Sequence, residues 1–154
     1  MEKWVINFAT VLLAVLAALF VFQRLQPKPK PDVNAVAALS PPLQAIHDDA
    51  AQAMNAVRTA VQEFYMNTGR WPESNAAAGL PEPEAFRGKS LERLDVDGLT
   101  VTLKFDSTSG VYGGTVVFTG SATPQMVMGI NWKCESPSYR QIDAAIADCV
   151  YSGH

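Results

Sequence analysis

Cysteine and histidine are scarce in this chain, which holds two of each among its 154 residues. Two cysteines without neighbouring histidines are too few for a structural zinc site. Basic charge is also scarce in the C-terminal part. The first 30 residues contribute +3 to a formal charge of -3, which leaves -6 for residues 31–154. Such a domain lacks the basic surface that nucleic acids require, so we expect no nucleic-acid partner.

Catalytic motifs are missing too: the sequence has no nucleophile motif, phosphate loop or dinucleotide fingerprint. His47, Asp48 and Asp49 are consecutive, but consecutive helical side chains point in different directions, and we interpret them as a solvated helix face. Asp95 and Asp97 lack the other ligands of a calcium loop and fit a strand end followed by a turn. We therefore predict a protein that is not an enzyme, with no catalytic residue, metal ligand or cofactor.

Charged residues are absent from residues 4–22. As a helix this run is about 28 Å long, close to the hydrocarbon thickness of a bilayer. A cleaved signal peptide is the alternative, but the run is longer than a typical signal core and no small-x-small site precedes Arg24. We predict a single transmembrane anchor within residues 1–25, in contact with the membrane through residues 4–22.

Prolines at positions 27, 29 and 31 exclude an α-helix beyond the anchor. Residues 26–39 are predicted as an extended spacer and residues 40–154 as the globular domain. The intervening lysines, Lys28 and Lys30, fit a solvated linker, with contact to anionic lipid as the alternative.

The globular domain opens with a long amphipathic helix. Ser40 is placed to cap it, prolines suit its first turn, and Gly69 supplies a stop after about Met66. One face is apolar at steps of three and four. Its residues are Leu43, Ile46, Ala50, Met54, Val57, Val61 and Phe64.

Alternating apolar residues predict strands at 99–105, 114–119 and 125–132, with one more short strand near 91–96. Together they predict an α+β domain in which one long helix packs on a three- to four-stranded antiparallel sheet. Trp71 with Pro72 is interpreted as pinning the connection after the helix onto the core, and Trp132 as a structural side chain beside the cysteines.

Cys134 and Cys149 are predicted to form a disulfide, which implies an oxidising compartment. We therefore place the domain outside the cytoplasm. The basic residues after the anchor favour a cytoplasmic domain instead, but the rule that positive charge stays inside is weak for a long translocated domain. Inside the loop, Ile142, Ala145 and Ile146 predict an inward-packed helical turn. The residues predicted to face water are Ser136, Pro137, Ser138 and Tyr139.

An ordered set of short motifs resembles the type IV pilin family across residues 43–150. Each motif alone is weak, whereas the Gly-x-Trp-Pro connection together with the C-terminal cysteine pair is fairly specific. The matching pieces are Phe64-Tyr65, the run from Thr68 to Pro72, the run from Ser74 to Leu80, Gly88-Lys89, Trp132-x-Cys134 and Cys149.

The resemblance implies a pilin-like fold, a place in the bacterial inner membrane as a single-pass protein with its domain in the periplasm, and association with pili. It implies pilins or pilus-assembly proteins as partners, and possible self-association. Two loops are implied as exposed contact surfaces, the first after the helix and the second between the cysteines. The candidate contact residues are Arg70, Trp71, Ser74, Asn75, Ser136, Ser138, Tyr139 and Arg140.

The N-terminus differs from that of filament pilins, since residues 1–7 hold neither a leader ending in Gly nor the Glu found inside the family's apolar helix. The proline segment also interrupts the long helix that pilins pack at the filament centre. We therefore expect a membrane-tethered accessory that acts through protein contacts. The alternatives are a minor pilin incorporated into filaments and a tethered receptor or sensor that binds an external ligand through its disulfide loop.

Intact-mass spectrometry of the membrane-extracted protein tests the anchor and the disulfide together. We expect the mass of the whole chain less two hydrogens, because the apolar run is retained and the two thiols are oxidised. A mass that lacks the first two dozen residues contradicts the retained anchor, and a mass with both thiol hydrogens contradicts the disulfide.

Overall fold

A computed structural model of the chain describes residues 39–121 and 129–154. The predicted anchor, almost all of the spacer and part of the predicted third strand lie outside those ranges. Within them, no helix combines the length and the apolar character needed to cross a bilayer.

The long helix, α1, spans Pro41–Thr68 and confirms the predicted helix. It ends where Gly69 adopts a left-handed conformation, with φ of 69°, and its N–H donates to the Tyr65 carbonyl at 2.8 Å. Ser40 occupies the position before the helix, but the prediction that its hydroxyl caps the helix is wrong. Pro42 has no N–H, which removes one of the two donors that such a cap uses.

The apolar face of α1 is buried as its spacing predicts. The predicted members Leu43 and Phe64, which lie nearest the two helix ends, are only partly buried. The buried hydrophobic residues of the helix are Ala45, Ile46, Ala50, Ala53, Met54, Val57 and Val61.

The described residues contain one five-stranded sheet, whose strands lie side by side in chain order. Its first three strands are Leu91–Asp97 (β1), Thr100–Phe105 (β2) and Thr115–Ser121 (β3), and they confirm the predicted positions to within two residues. They pair antiparallel, and the tight turn between β1 and β2 holds Gly98 with φ of 60°.

The last two strands correct the prediction. The fourth strand, β4, spans Asn131–Ser136, so residues 129–130 of the predicted third strand lie outside it, and residues 125–128 lie outside the described ranges. The fifth, β5, spans Cys149–Tyr151 and pairs parallel to β4, so the sheet is neither four-stranded nor wholly antiparallel. Three residues are too few for a period-two pattern to be recognised in a sequence.

The core lies between α1 and one face of the sheet. Buried apolar side chains alternate along β2, β3 and the end of β1, as expected for a sheet covered on one face, and an irregularity between Leu91 and Arg93 shifts the pattern at the start of β1. These buried residues are Leu91, Leu94, Val96, Val101, Leu103, Phe105, Val116 and Phe118.

A disulfide joins Cys134 and Cys149, which are direct neighbours across β4 and β5 with a Cα–Cα distance of 4.5 Å. The enclosed segment contains a short helix, α2, at Ile142–Ala145. Ile142 and Ala145 are buried, which confirms the predicted inward-packed turn. Because β5 is so short, the covalent bond is a main constraint on its place beside β4.

Reduction of the disulfide is expected to lower the free energy of unfolding by about 3 kcal/mol, because the bond closes a loop of roughly 15 residues. Urea unfolding of the full chain in detergent, with and without reductant, measures this. The Cys134→Ala, Cys149→Ala double variant serves as the control, since it should match the reduced protein and show no response to reductant. An unchanged unfolding midpoint after confirmed reduction contradicts the expectation.

Candidate functional site

The two loops proposed as contact surfaces are here named the αβ-loop, residues 69–90, and the disulfide loop, residues 134–149. An exposed side chain on a rigid loop can contact a partner, whereas a buried one supports the loop itself.

Asp49 fixes the end of the αβ-loop to α1. Its carboxylate accepts hydrogen bonds from the backbone N–H groups of Lys89 at 2.9 Å, Ser90 at 2.7 Å and Leu91 at 2.8 Å. The Ser90 hydroxyl donates to it as well, at 2.9 Å. The interpretation of Asp49 as part of a solvated face is wrong, since only 4% of it is exposed. The loop folds over the helix at this point and replaces water with its own donors.

The three consecutive polar residues of α1 do point in three directions, as the sequence indicates. His47 Nδ1 donates to the Ala145 carbonyl of α2 at 2.7 Å. Asp48 forms a surface ion pair with the Lys89 ammonium at 2.6 Å, and this hydrogen bond raises the pKa of Lys89. His47 therefore contacts α2, whereas Asp48 and Asp49 contact the side chain and the backbone of Lys89 in the αβ-loop, so the three do not form a common site.

Gly88 is the residue that lets the αβ-loop approach α1. A Cβ atom at this position would overlap the Asp49 carboxylate. The close approach, and not an unusual backbone conformation, therefore accounts for glycine here.

Asn75 holds the middle of the αβ-loop against the outer edge of β1. Its Nδ2 donates to the Leu94 carbonyl at 2.9 Å and the Pro81 carbonyl at 3.2 Å, and its Oδ1 accepts from the Val96 N–H at 2.7 Å. An edge strand has unpaired backbone groups, and this side chain satisfies two of them. Asn75 is buried, so it supports the loop and does not offer its side chain to a partner.

The start of the αβ-loop is held by aromatic packing. Trp71 stacks on Tyr65 with ring centroids 4.0 Å apart and an interplanar angle of 13°. Pro72 is fully buried, and its carbonyl accepts from the Gly98 N–H at 2.8 Å. These contacts confirm that Trp71 and Pro72 pin the loop. Arg70, the residue before Trp71, is exposed.

The disulfide loop is docked against the start of β3 by two serine hydroxyls. Ser136 donates to the Thr115 carbonyl at 2.6 Å, and Ser138 accepts from the Thr115 N–H at 3.0 Å. The expectation that Ser136 faces water is wrong, because the side chain is fully buried. Ser138 is half-buried. The two short hydroxyls thus pair the backbone of Thr115 at the point where β4 ends.

Tyr139 also holds the disulfide loop against the domain. The residue is buried, so the expectation that it faces water is wrong. Its hydroxyl lies 2.6 Å from the Ser109 hydroxyl, and its ring meets Phe105 edge-on at 6.0 Å. Burial raises the pKa of the Tyr139 phenol. By contrast, Arg140 is exposed, and its guanidinium lies over the Tyr151 ring at 5.6 Å.

The candidate contact residues therefore divide into two groups. Asn75, Ser136 and Tyr139 are buried and hold the loops in place. The residues left with accessible surface are Arg70, Ser74 and Arg140, which are exposed, and Trp71 and Ser138, which are half-buried.

The acidic pair Asp95 and Asp97 lies in β1. Asp95 binds the Arg93 guanidinium through two contacts of 2.6 Å. In the ranges that the structure describes, no three Cys, His, Asp or Glu side chains are grouped to hold a metal ion.

A sequence model of the family described as Pilin (bacterial filament) matches residues 48–148. The chain belongs to the pilin family. The match begins at the helical turn that carries Asp49 and covers the αβ-loop and all but the last residue of the disulfide loop, so the resemblance to type IV pilins is confirmed.

Individual relatives agree with this assignment. The chain is 31% identical over 124 residues to a Type IV major pilin protein PilE1 of Neisseria gonorrhoeae, an alignment covering 75% of this chain and 74% of the relative. A second PilE1 of that species is 34% identical over 86 residues, covering 51% and 47%. A Fimbrial protein of Neisseria meningitidis serogroup B is 29% identical over 83 residues, covering 50% and 49%. The chain is thus a type IV pilin-like protein.

Asp49 supports the end of the αβ-loop in this pilin domain, and the sequence analysis did not predict that role. A signal was present, since Asp49 follows Ile46 by three positions and precedes Ala53 by four, which places it on the buried side of α1. A carboxylate at such a position requires buried donors. The sequence does not show which donors they are, because Ser90 lies 41 residues further along the chain.

Asp49→Ala is expected to lower the free energy of unfolding by about 3 kcal/mol, because it leaves buried backbone N–H groups of the αβ-loop without an acceptor. Asp48→Asn is the matched control, since it removes a neighbouring carboxylate from an exposed ion pair and should change stability by less than about 1 kcal/mol. Urea unfolding of both full-length variants provides the comparison. Equal effects at the two positions contradict the role given to Asp49.

Proposed function

We propose that this pilin-family protein is a non-enzymatic, membrane-tethered accessory that acts through protein contacts in type IV pilus assembly or function. Its partners are pilins or pilus-assembly proteins. The proposal places residues 4–22 in the bacterial inner membrane and the pilin domain in the periplasm. The observation that carries it is the proline segment between the apolar run and α1.

Prolines 27, 29 and 31 separate two segments that filament pilins join in one long helix. A proline inside a helix removes a hydrogen bond and clashes with the preceding turn, and three at alternate positions leave no room for a helical path. The apolar run also holds no glutamate to pair with a neighbour's amine inside a membrane. Both features oppose packing at a filament centre while leaving the pilin domain intact.

The surface of the domain supports a role in recognition. Arg70, Ser74 and Arg140 are exposed on the αβ-loop and the disulfide loop, and both loops are fixed to the sheet by side-chain hydrogen bonds. A loop that is already ordered loses little conformational entropy on binding. We propose these exposed residues as the ones that meet a partner, with Trp71 and Ser138 beside them.

A minor pilin incorporated into filaments is the second candidate function. It is favoured by the 31% identity to a major pilin over 75% of the chain. In that role the proline segment would be accommodated as a local break in the packed helices, and a small fraction of filament subunits would be this protein.

Fractionation of a bacterium that makes type IV pili and expresses the full chain separates the two functions. An accessory is expected in the membrane fraction and not in sheared filaments, because the helix break opposes packing. Replacement of the three prolines by alanine is the matched variant, and it is expected to raise the share found in filaments. Recovery of the wild-type protein in purified filaments at a constant ratio to the major pilin would overturn the accessory role and support the minor pilin.

A further inference from the structure

A cavity of about 390 Å³ lies between α1 and the start of β4. This volume is within the range of sites that bind small molecules, about 300–1,000 Å³. None of the described residues that line it belongs to the αβ-loop or the disulfide loop. They are Arg58, Gln62, Gly129, Ile130, Asn131 and Trp132.

The polar side chains of this cavity come from two elements. Arg58 and Gln62 are four residues apart on α1 and so lie on the same side of the helix, while Asn131 is the first residue of β4. They bring one guanidinium and two carboxamides to one concave surface. Among its described lining residues none is acidic, although residues 31–154 carry a formal charge of -6. The described lining of the cavity is therefore suited to an anionic group.

Trp132 gives the cavity an apolar wall. The residue is half-buried and packs against the hydrophobic core, as does Ile130. The indole is therefore held by the core while it also lines the cavity. A large aromatic side chain that is already ordered binds at low entropic cost.

These groups together match one class of ligand. The flat face of an indole suits the C–H face of a sugar ring, and carboxamides can both donate to and accept from ring hydroxyls. A guanidinium binds a carboxylate through two parallel hydrogen bonds. An acidic peptide would use Arg58 but would leave the aromatic wall without a matching flat face.

We propose that this cavity binds a carboxylated saccharide of the hexuronic acid class, with the ring on Trp132 and the carboxylate at Arg58. Gln62 and Asn131 exchange hydrogen bonds with the hydroxyl groups. Binding at this site is independent of the accessory role, since it uses neither of the two loops.

Saturation-transfer NMR on the full chain in detergent micelles tests the proposal, with glucuronate as the probe and glucose and acetate as comparisons. Glucuronate is expected to bind about tenfold more tightly than glucose, which lacks the charge-assisted hydrogen bonds. Saturation should reach the ring C–H protons of glucuronate, and acetate should compete poorly because it has no ring.

Arg58→Met removes the charge but keeps the aliphatic stem, and it is expected to abolish the preference for glucuronate over glucose. Trp132→Phe should weaken both sugars while preserving that preference. Arg87→Met is the matched control, since it removes an exposed arginine elsewhere and should leave binding unchanged. The proposal is overturned if glucuronate gives no saturation transfer, if Arg58→Met binds it as the wild type does, or if acetate or an acidic peptide displaces it with equal affinity.

Discussion

The contact between the Asp49 carboxylate and residues 89–91 is the constraint on which the domain's arrangement depends. A buried carboxylate is stable only when hydrogen bonds replace its water, and here three backbone N–H groups and the Ser90 hydroxyl do so. Those donors include the first residue of β1. The helix thereby sets where β1 begins, while the tight turn at Gly98 and the apolar pattern of the strands set the register of β1 with β2.

The same principle holds both loops of this pilin-family domain. Asn75 satisfies backbone groups at the edge of β1, and Ser136 with Ser138 satisfies those of Thr115 at the start of β3. The disulfide then fixes the short β5 beside β4. Polar side chains thus extend the sheet at its margins, and the exposed residues beside them are presented from ordered loops, as a recognition surface requires.

Local sequence patterns predict much of this fold. The helix has a period near 3.6 residues and a glycine stop, and β2 and β3 alternate, so their positions follow from the sequence. The burial of Asn75 and Tyr139 does not, because their partners Leu94 and Ser109 lie 19 and 30 residues away. A polar residue after a turn signal has the same appearance in a sequence whether its side chain faces water or a backbone carbonyl. The sequence therefore locates the two loops, but it does not show which of their polar side chains are exposed and which are buried.

Amide hydrogen exchange in the full chain tests the role of Asp49 most directly. The Ser90 and Leu91 amides donate to the buried carboxylate, so they are predicted to exchange as slowly as the amides within β2, where opening requires disruption of the core. In Asp49→Asn these amides should lose protection before those of β2 do. Exchange of Ser90 and Leu91 in the wild type as fast as that of exposed αβ-loop amides would contradict the account.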